Sequence, residues 1–292
     1  MATNLIVQYY KCGNEARQVE IDTCLSSNLR NEFISVIHLL TEQLFDVSQF
    51  PHHEKIKQTV VGERLTFERA FQYANQQGEN QIWLLSNADI YFDSSLNCLN
   101  DAKLDDAVFA LTRHDVQKDG TLKIVIPEFA HGSQDAWIFK TPLPLDKFYT
   151  QFYLGIPGCD NRIAYEFIKA GYKVINPANK IIIYHLDLIR ESNIFERDRE
   201  YAKLMSAENV DRGLVVPPPY QYHLYPVDQI DPNSLEMYKS YLARYAELSA
   251  ELVKLENLKN KYNAVLQSRS WKVTKPLRMI TEFFSKKDQG GM

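Results

Sequence analysis

The sequence lacks the features by which membrane bundles and disulfide scaffolds are identified. No apolar run approaches the roughly 20 residues that a membrane-spanning helix needs. The N-terminus has no basic stretch followed by a long apolar core, so no secretory signal is expected. The four cysteines lie far apart without the paired spacing of a metal site, which favours reduced thiols. These absences predict a cytoplasmic protein.

Positive charge is not in excess either. With 33 Lys and Arg against 37 Asp and Glu, the net charge is -4, which argues against nucleic acid as a partner. Hydrophobic residues at 45% and charged residues at 24% are ordinary for a soluble globular protein. The 292 residues suffice for one large domain or for a domain with an appendage.

The most informative stretch begins with the apolar run Ile82 to Leu85, typical of a strand covered on both faces in a mostly parallel sheet. Ser86-Asn87-Ala88-Asp89 follows, at the strand end where open α/β sheets bind ligands. In an extended segment Asn87 and Asp89 point the same way, so both can reach one divalent cation. A simple turn is the other interpretation of this pair.

Polar residues flank two further predicted strands. Arg113 follows the apolar run 107–112 and is either a phosphate-neutralising cation or a solvated surface residue. Gln134 and Asp135 precede the apolar run 136–139, where Asp135 either contacts a ligand or belongs to a turn before the strand. Both sets are therefore candidate binding residues.

Asp160 and His185 are the remaining candidates for chemistry. Asp160 follows a turn-rich segment and begins a predicted helix over 162–170, where the helix dipole favours an ionised carboxylate and Asp is also a common cap. His185 follows the apolar run 180–184, as a metal ligand or as a hydrogen-bonded structural histidine. Imidazole with carboxylate suits Mn²⁺ somewhat better than Mg²⁺.

The pattern along the chain predicts a mixed α/β protein. Asp119-Gly120 predicts a hairpin. Helices are expected at 66–77 and 162–170, and helical or mixed structure at 17–29 and 32–43. Strands are expected at 4–10, 55–61, 82–85, 107–112, 136–139, 172–175 and 180–184.

The C-terminal part has a different composition. Prolines at 214–233 predict a linker. Apolar residues three and four apart across 234–266 predict a long helix that packs on its own chain or forms a homodimer. The basic segment 268–287, with Trp271, favours either an anchor on an anionic membrane surface or a disordered tail. The predicted domains are 1–213, the linker at 214–233, and 234–292.

Four motifs together resemble the GT-A glycosyltransferases: residues 86–93, 132–137 and 155–161, and His185. Asn87 stands where the Asp-x-Asp motif of that family has its first Asp. The resemblance implies a GT-A-like, Rossmann-type mixed sheet flanked by helices. It also implies a metal site of Asp89 and His185 for Mn²⁺ or Mg²⁺, and Asp160 as the general base of an inverting reaction.

The same resemblance implies donor or acceptor contacts from seven residues: Gln8, Tyr9, Tyr10, Asn87, Arg113, Gln134 and Asp135. For the first three, a plain core strand is an equally good interpretation. The expected activity is transfer of a hexosyl or deoxyhexosyl group from a nucleotide-sugar donor to a glycan or lipid-linked glycan, as in polysaccharide biosynthesis.

Two other functions stay open on the sequence. A nucleotidyltransferase would share the sheet and the metal, but Tyr10 to Asn14 is a poor version of its Gly-rich basic loop. A non-catalytic protein that binds sugar nucleotides, with the long helix as its working part, is compatible with Asn87 in the motif.

Overall fold

The structure is a computed structural model that describes residues 3–124, 134–191, 216, 254, 258–268 and 274. The chain separates into two compact units, Met1–Gln229 and Ile230–Met292. In the second unit, residues 258–267 are helical. The predicted linker, most of the long helix and nearly all of the basic tail lie outside the described residues.

The first unit is built on a mixed sheet, which confirms the predicted α/β class. Its seven described strands are arranged β10-β6-β9-β4-β1-β2-β3. Neighbours run parallel except β9, which is antiparallel to both β4 and β6. The strands are β1 (Thr3–Val7), β2 (Val36–Thr41), β3 (Ile56–Val60), β4 (Ile82–Ser86), β6 (Ala107–Thr112), β9 (Gln134–Lys140) and β10 (Lys173–Ile175).

Helices cover both faces of this sheet. They are α1 (Glu15–Arg30), α2 (Phe67–Gln76), α3 (Cys159–Lys169) and the short α4 (Leu188–Glu191), with 3₁₀ turns at His53–Lys55, Ser94–Asp101 and Leu145–Lys147. One apolar cluster contains Leu84 of β4 and buried residues of α1. The other contains Trp83 and Leu85 with buried residues of α2 and α3. Alternate β4 side chains thus enter two cores, which explains the continuous apolar run.

The prediction of helical or mixed structure at 32–43 is corrected to a strand, β2. Ile37 and Leu39 pack into the α1 cluster, and Leu40 packs into the α2 cluster. A strand between two parallel neighbours buries both of its faces, so its apolar residues do not alternate with polar ones. Such a run cannot be distinguished from a buried helix by periodicity alone.

A second, smaller sheet has the order β5-β11-β7-β8. Its strands are β5 (Ile90–Phe92), β7 (His114–Val116), β8 (Leu122–Ile124) and β11 (Ile183–His185). The antiparallel β7 and β8 confirm the hairpin predicted at Asp119-Gly120, where Gly120 has φ of 80°. In the inner strand β11, His185 pairs with Ile90 of β5 on one side and with Asp115 of β7 on the other.

The helices begin at polar or flexible residues. Asn14 and Thr66 cap α1 and α2 through side chains that accept from Arg17 N and Arg69 N. Gly158 precedes α3 in the left-handed conformation, with φ of 82°. Within the described residues, no helix has the length and apolarity required to cross a membrane.

Candidate functional site

The direction of β9 brings its first residues to the edge where β4 and β6 end. Ser86, the last residue of β4, pairs with Ala136, and Thr112, the last of β6, pairs with Gln134. Because β9 runs antiparallel to β4 and β6, the residues at its start lie beside the residues that follow the ends of those two strands. The predicted polar residues of all three strands are therefore gathered at one edge of the sheet.

Three side chains form a candidate cation site at this edge: Asp89, His185 and Asp187. One possible ligand atom from each lies within 4.8 Å of the other two. His185 Nε2 is 3.4 Å from Asp89 Oδ2 and 3.9 Å from Asp187 Oδ2. Two carboxylates with one imidazole fit Mn²⁺ well and are compatible with Mg²⁺. The structure thus brings the two predicted ligands together and adds a third.

Asp187 was missed in the sequence. It lies two residues after His185, in a segment that leaves the small sheet, and it is buried beside Asp89. The spacing His185-x-Asp187 after an apolar strand was the available signal, because residues two apart in an extended segment point the same way.

Asp115 orients the imidazole of His185 through a hydrogen bond with Nδ1, the ring nitrogen that does not face Asp89 and Asp187. His185 Nδ1 lies 2.7 Å from Asp115 Oδ1. A carboxylate only accepts, so Nδ1 carries the proton and Nε2 faces Asp89 and Asp187. Burial lowers the pKa of His185, but the charge of Asp89 and the hydrogen bond to Asp115 outweigh it and raise that pKa to about 9. The site therefore favours a positive charge, a proton or a metal, at Nε2.

Arg17 of α1 is a second residue missed in the sequence. Its side chain is 4% exposed, and its guanidinium forms an ion pair with Asp89. It also lies 3.1 Å from Asp187 Oδ1 and 2.8 Å from Glu20 Oε2. Burial would raise the pKa of Asp89, but His185 and then Arg17 outweigh it and hold that pKa well below its usual range. A basic residue in a helix gave no sequence signal that it is buried.

Asp135 forms the centre of a second group. Its Oδ1 accepts from Asn87 Nδ2 at 2.9 Å, and its Oδ2 lies 3.3 Å from Arg113 NH1. Arg113 Nε lies 2.9 Å from Asp115 Oδ1. Because Asp115 also contacts His185, hydrogen bonds and ion pairs run without a break from Asn87 to the cation site.

The expectation that Asn87 and Asp89 converge on one object is wrong. Residues 87–90 form a turn in which Ile90 N donates to Asn87 O at 3.3 Å. Asn87 consequently contacts Asp135, whereas Asp89 contacts Arg17 and His185. The turn interpretation of this pair is confirmed, and the role of Asp89 as a metal ligand stays a prediction.

Asp160 is the second residue of α3, after Cys159, so Gly158 and not Asp160 is the cap. Its carboxylate accepts from Gln134 N at 3.3 Å and Asn161 N at 2.9 Å. Burial, followed by the nearby charge of Asp135, raises the pKa of Asp160 to about 6. The helix dipole was expected to favour ionisation, but desolvation and like charge outweigh it.

The three residues expected to contact the donor base lie beyond β1. Tyr9 is 1% exposed, its hydroxyl donates to Asp22 at 2.7 Å, and its ring packs edge-on against Phe45 and Phe50. Gln8 and Tyr10 are partly exposed. The Tyr9 ring therefore belongs to the core, and its neighbours present the accessible side chains.

Fold and site together define a mixed α/β protein with a histidine–carboxylate cluster, a candidate cation site, at one edge of its main sheet. Beside that site lies a pair of carboxyl groups, Asp135 and Asp160, one of which has a raised pKa. No protein-family profile and no curated protein matches the chain.

Several solved structures are similar to it. One is TarS of S. aureus in complex with UDP-GlcNAc, at 15% identity over 73% of this chain and 69% of that one, with a TM-score of 0.42. Another is GalNAc-T7 with UDP, GalNAc and Mn²⁺, at 9% identity over 64% and 44%, with a TM-score of 0.40. A third is the mannosyltransferase PcManGT of Pyrobaculum calidifontis with GDP-Man and Mn²⁺, at 14% identity over 95% and 84%, with a TM-score of 0.41. These likenesses are too distant to transfer a function to this chain.

Proposed function

We propose that this protein is a glycosyltransferase that uses a nucleotide-sugar donor and a divalent cation. The observation that carries the proposal is the convergence of Asp89, His185 and Asp187 at the sheet edge, linked through Asp115 and Arg113 to a second carboxylate group. Sugar transfer from a nucleotide needs positive charge for a leaving diphosphate and a base for the acceptor. The candidate cation site and the carboxyl groups beside it suit these two tasks and support the proposal.

Asp89, His185 and Asp187 would hold Mn²⁺ or Mg²⁺. When bound there, the cation supplies positive charge that stabilises the leaving diphosphate. Asp115 keeps Nε2 of His185 directed toward the two carboxylates. Arg113 is tied to Asp115 and Asp135 and adds positive charge to the same edge.

Asp160 is proposed as the general base of an inverting transfer. Its pKa of about 6 leaves it ionised at neutral pH and close enough to neutrality to accept a proton from an acceptor hydroxyl. Asn87 and Arg113 fix the neighbouring Asp135. Asp135, with the adjacent Gln134, is assigned to contacts with the transferred sugar or the acceptor.

The remaining assignments rest on the sequence. Gln8 and Tyr10 are proposed for the donor base and ribose, and the transferred group is a hexose or deoxyhexose. The acceptor is a glycan or lipid-linked glycan in polysaccharide biosynthesis. The enzyme works in the cytoplasm, with residues 268–287 on an anionic membrane surface and residues 234–266 as a homodimer contact.

The proposal is tested by incubating the protein with a panel of nucleotide sugars, with Mn²⁺ or with EDTA, and measuring release of nucleoside diphosphate. We expect release with Mn²⁺ and none with EDTA, and we expect Asp89→Ala to abolish it. Asp105→Ala is the matched control, because Asp105 is an exposed carboxylate paired with Lys140, which lies opposite the first residue of β4.

Full activity of Asp89→Ala in EDTA would exclude a metal-dependent transferase. Release of pyrophosphate from nucleoside triphosphates and sugar phosphates would indicate a nucleotidyltransferase, and binding without turnover a non-catalytic protein.

A further inference from the structure

Arg17 contacts two of the three proposed metal ligands, Asp89 and Asp187. Its guanidinium contacts the carboxylates of Asp89, Asp187 and Glu20, and it donates to the Leu186 carbonyl at 2.8 Å. The side chain is 4% exposed, and those of Asp187 and Glu20 are each 8% exposed. An arginine so enclosed forms part of the floor of the cation site.

The charges around the site explain what this arginine does. Three carboxylates close together in a buried place repel one another and are costly to desolvate unless positive charge compensates them. Arg17 supplies a unit of that charge from within the chain. The same charge repels any divalent ion that binds the same carboxylates. A unit charge about 5 Å from a divalent ion changes affinity about tenfold even with the dielectric constant of water.

We propose that Arg17 is a tethered counter-cation that keeps the divalent affinity of the Asp89–His185–Asp187 cluster low until a diphosphate is present. This inference rests on the proposed function and deepens it. A donor diphosphate brings negative charge and further oxygen ligands, both of which offset the repulsion from Arg17. Cation and nucleotide are then coupled, each raising the affinity for the other by the same factor.

The test measures binding of Mn²⁺ alone, by the electron paramagnetic resonance signal of the free ion. The proteins are wild type, Arg17→Gln, Arg17→Lys and Arg30→Gln. We expect Arg17→Gln to bind Mn²⁺ about tenfold more tightly or better, and Arg17→Lys to stay within about threefold of wild type because the charge is kept. Arg30→Gln removes an exposed charge from the last turn of the same helix and should change nothing.

A second prediction concerns the same variants with a nucleoside diphosphate. UDP and GDP should tighten Mn²⁺ binding to wild type by a larger factor than to Arg17→Gln, because less repulsion remains to be offset in the variant. Equal or weaker Mn²⁺ binding by folded Arg17→Gln would overturn the proposal and leave Arg17 as an ordinary structural ion pair.

Removal of Arg17 leaves buried carboxylates without their partner, so the variant is also followed by thermal unfolding. We expect Mn²⁺ to raise the Tm of Arg17→Gln more than that of wild type over the same concentrations. A variant that no concentration of Mn²⁺ stabilises would equally overturn the proposal. Neither measurement involves sugar transfer, so a wild type that binds Mn²⁺ without turnover would contradict the proposed function alone.

Discussion

At the scale of single residues, the environment of Asp160 sets its chemistry. Its carboxylate is enclosed near Asp135, and the hydrogen bonds that it accepts from backbone N–H groups, including those of Gln134 and Asn161, do not fully offset the loss of water. The resulting pKa of about 6 suits a group that must lose and regain a proton near neutral pH. The same enclosure means that the ionised form weakens the fold.

Asp160→Asn should therefore separate activity from stability. Loss of a general base lowers transfer by roughly 10²–10⁴-fold. The folded pKa of Asp160 lies above its usual value of 3.8, so the carboxyl group stabilises the fold at low pH, and that stabilisation is lost as pH rises through about 6. The free energy of unfolding of Asp160→Asn, relative to that of wild type, should accordingly increase by up to roughly 3 kcal/mol between pH 4 and pH 8.

The measurements are transfer rate at saturating donor and unfolding by urea at several pH values. In wild type, the transfer rate should rise with pH through about 6, and Asp105→Asn should behave as wild type in both measurements. Near-normal transfer by Asp160→Asn would reject Asp160 as the base and leave Asp135 as the next carboxylate to test.

At the scale of elements, the sequence predicted most strands, because buried strands carry continuous apolar runs. It did not predict how the strands bring the site together. The antiparallel direction of β9 depends on long-range pairing, and that direction carries Asp135 to the edge where Asp89 lies. Nor does a local pattern show that Arg17, three residues after a helix cap, points inward to Asp89. The contacts between distant segments, such as that of Arg17 with Asp89, were therefore missed.

The contact between β2 and α2 provides a prediction at this scale. His38 of β2 is buried, its Nδ1 lies 2.9 Å from the Tyr73 hydroxyl of α2, and its ring packs against Trp83. Burial, and then the charge of Lys57, lowers the pKa of His38 to about 4. A neutral imidazole is thus part of the interface between strand and helix.

The folded pKa of His38 lies below its usual 6.5. The neutral imidazole therefore stabilises the fold fully above pH 6.5, and this stabilisation is lost as pH falls toward 4. Over this range, the free energy of unfolding of wild type should fall by up to about 3 kcal/mol more than that of His38→Gln. Unfolding by urea from pH 7 to pH 4 measures the difference, with the exposed His52→Gln as control. Parallel curves for wild type and His38→Gln would refute the assignment.

At the scale of the whole molecule, the described sheet and site belong to the unit Met1–Gln229. In residues 258–267 of the second unit, which are helical, Leu258, Tyr262 and Val265 are exposed, and the apolar seam at 234–266 stays a prediction. The membrane contact and the homodimer remain predictions from the sequence.

Truncation after Gln267 tests the proposed tail. The basic residues and Trp271 favour an anionic surface, so the shortened protein should bind anionic liposomes more weakly while its activity on a soluble acceptor stays unchanged. Co-sedimentation at low and moderate salt measures this. Equal binding by both proteins would refute the membrane role of the tail.

The central claim is that Asp89, His185 and Asp187 hold a divalent cation beside a nucleoside diphosphate. The most direct measurement is anomalous diffraction at the manganese edge from crystals grown with Mn²⁺ and UDP or GDP. We expect one strong peak between Asp89, His185 and Asp187, in contact with diphosphate oxygens. A nucleotide bound at the sheet edge with no peak there, or with the peak at other residues, would contradict the claim.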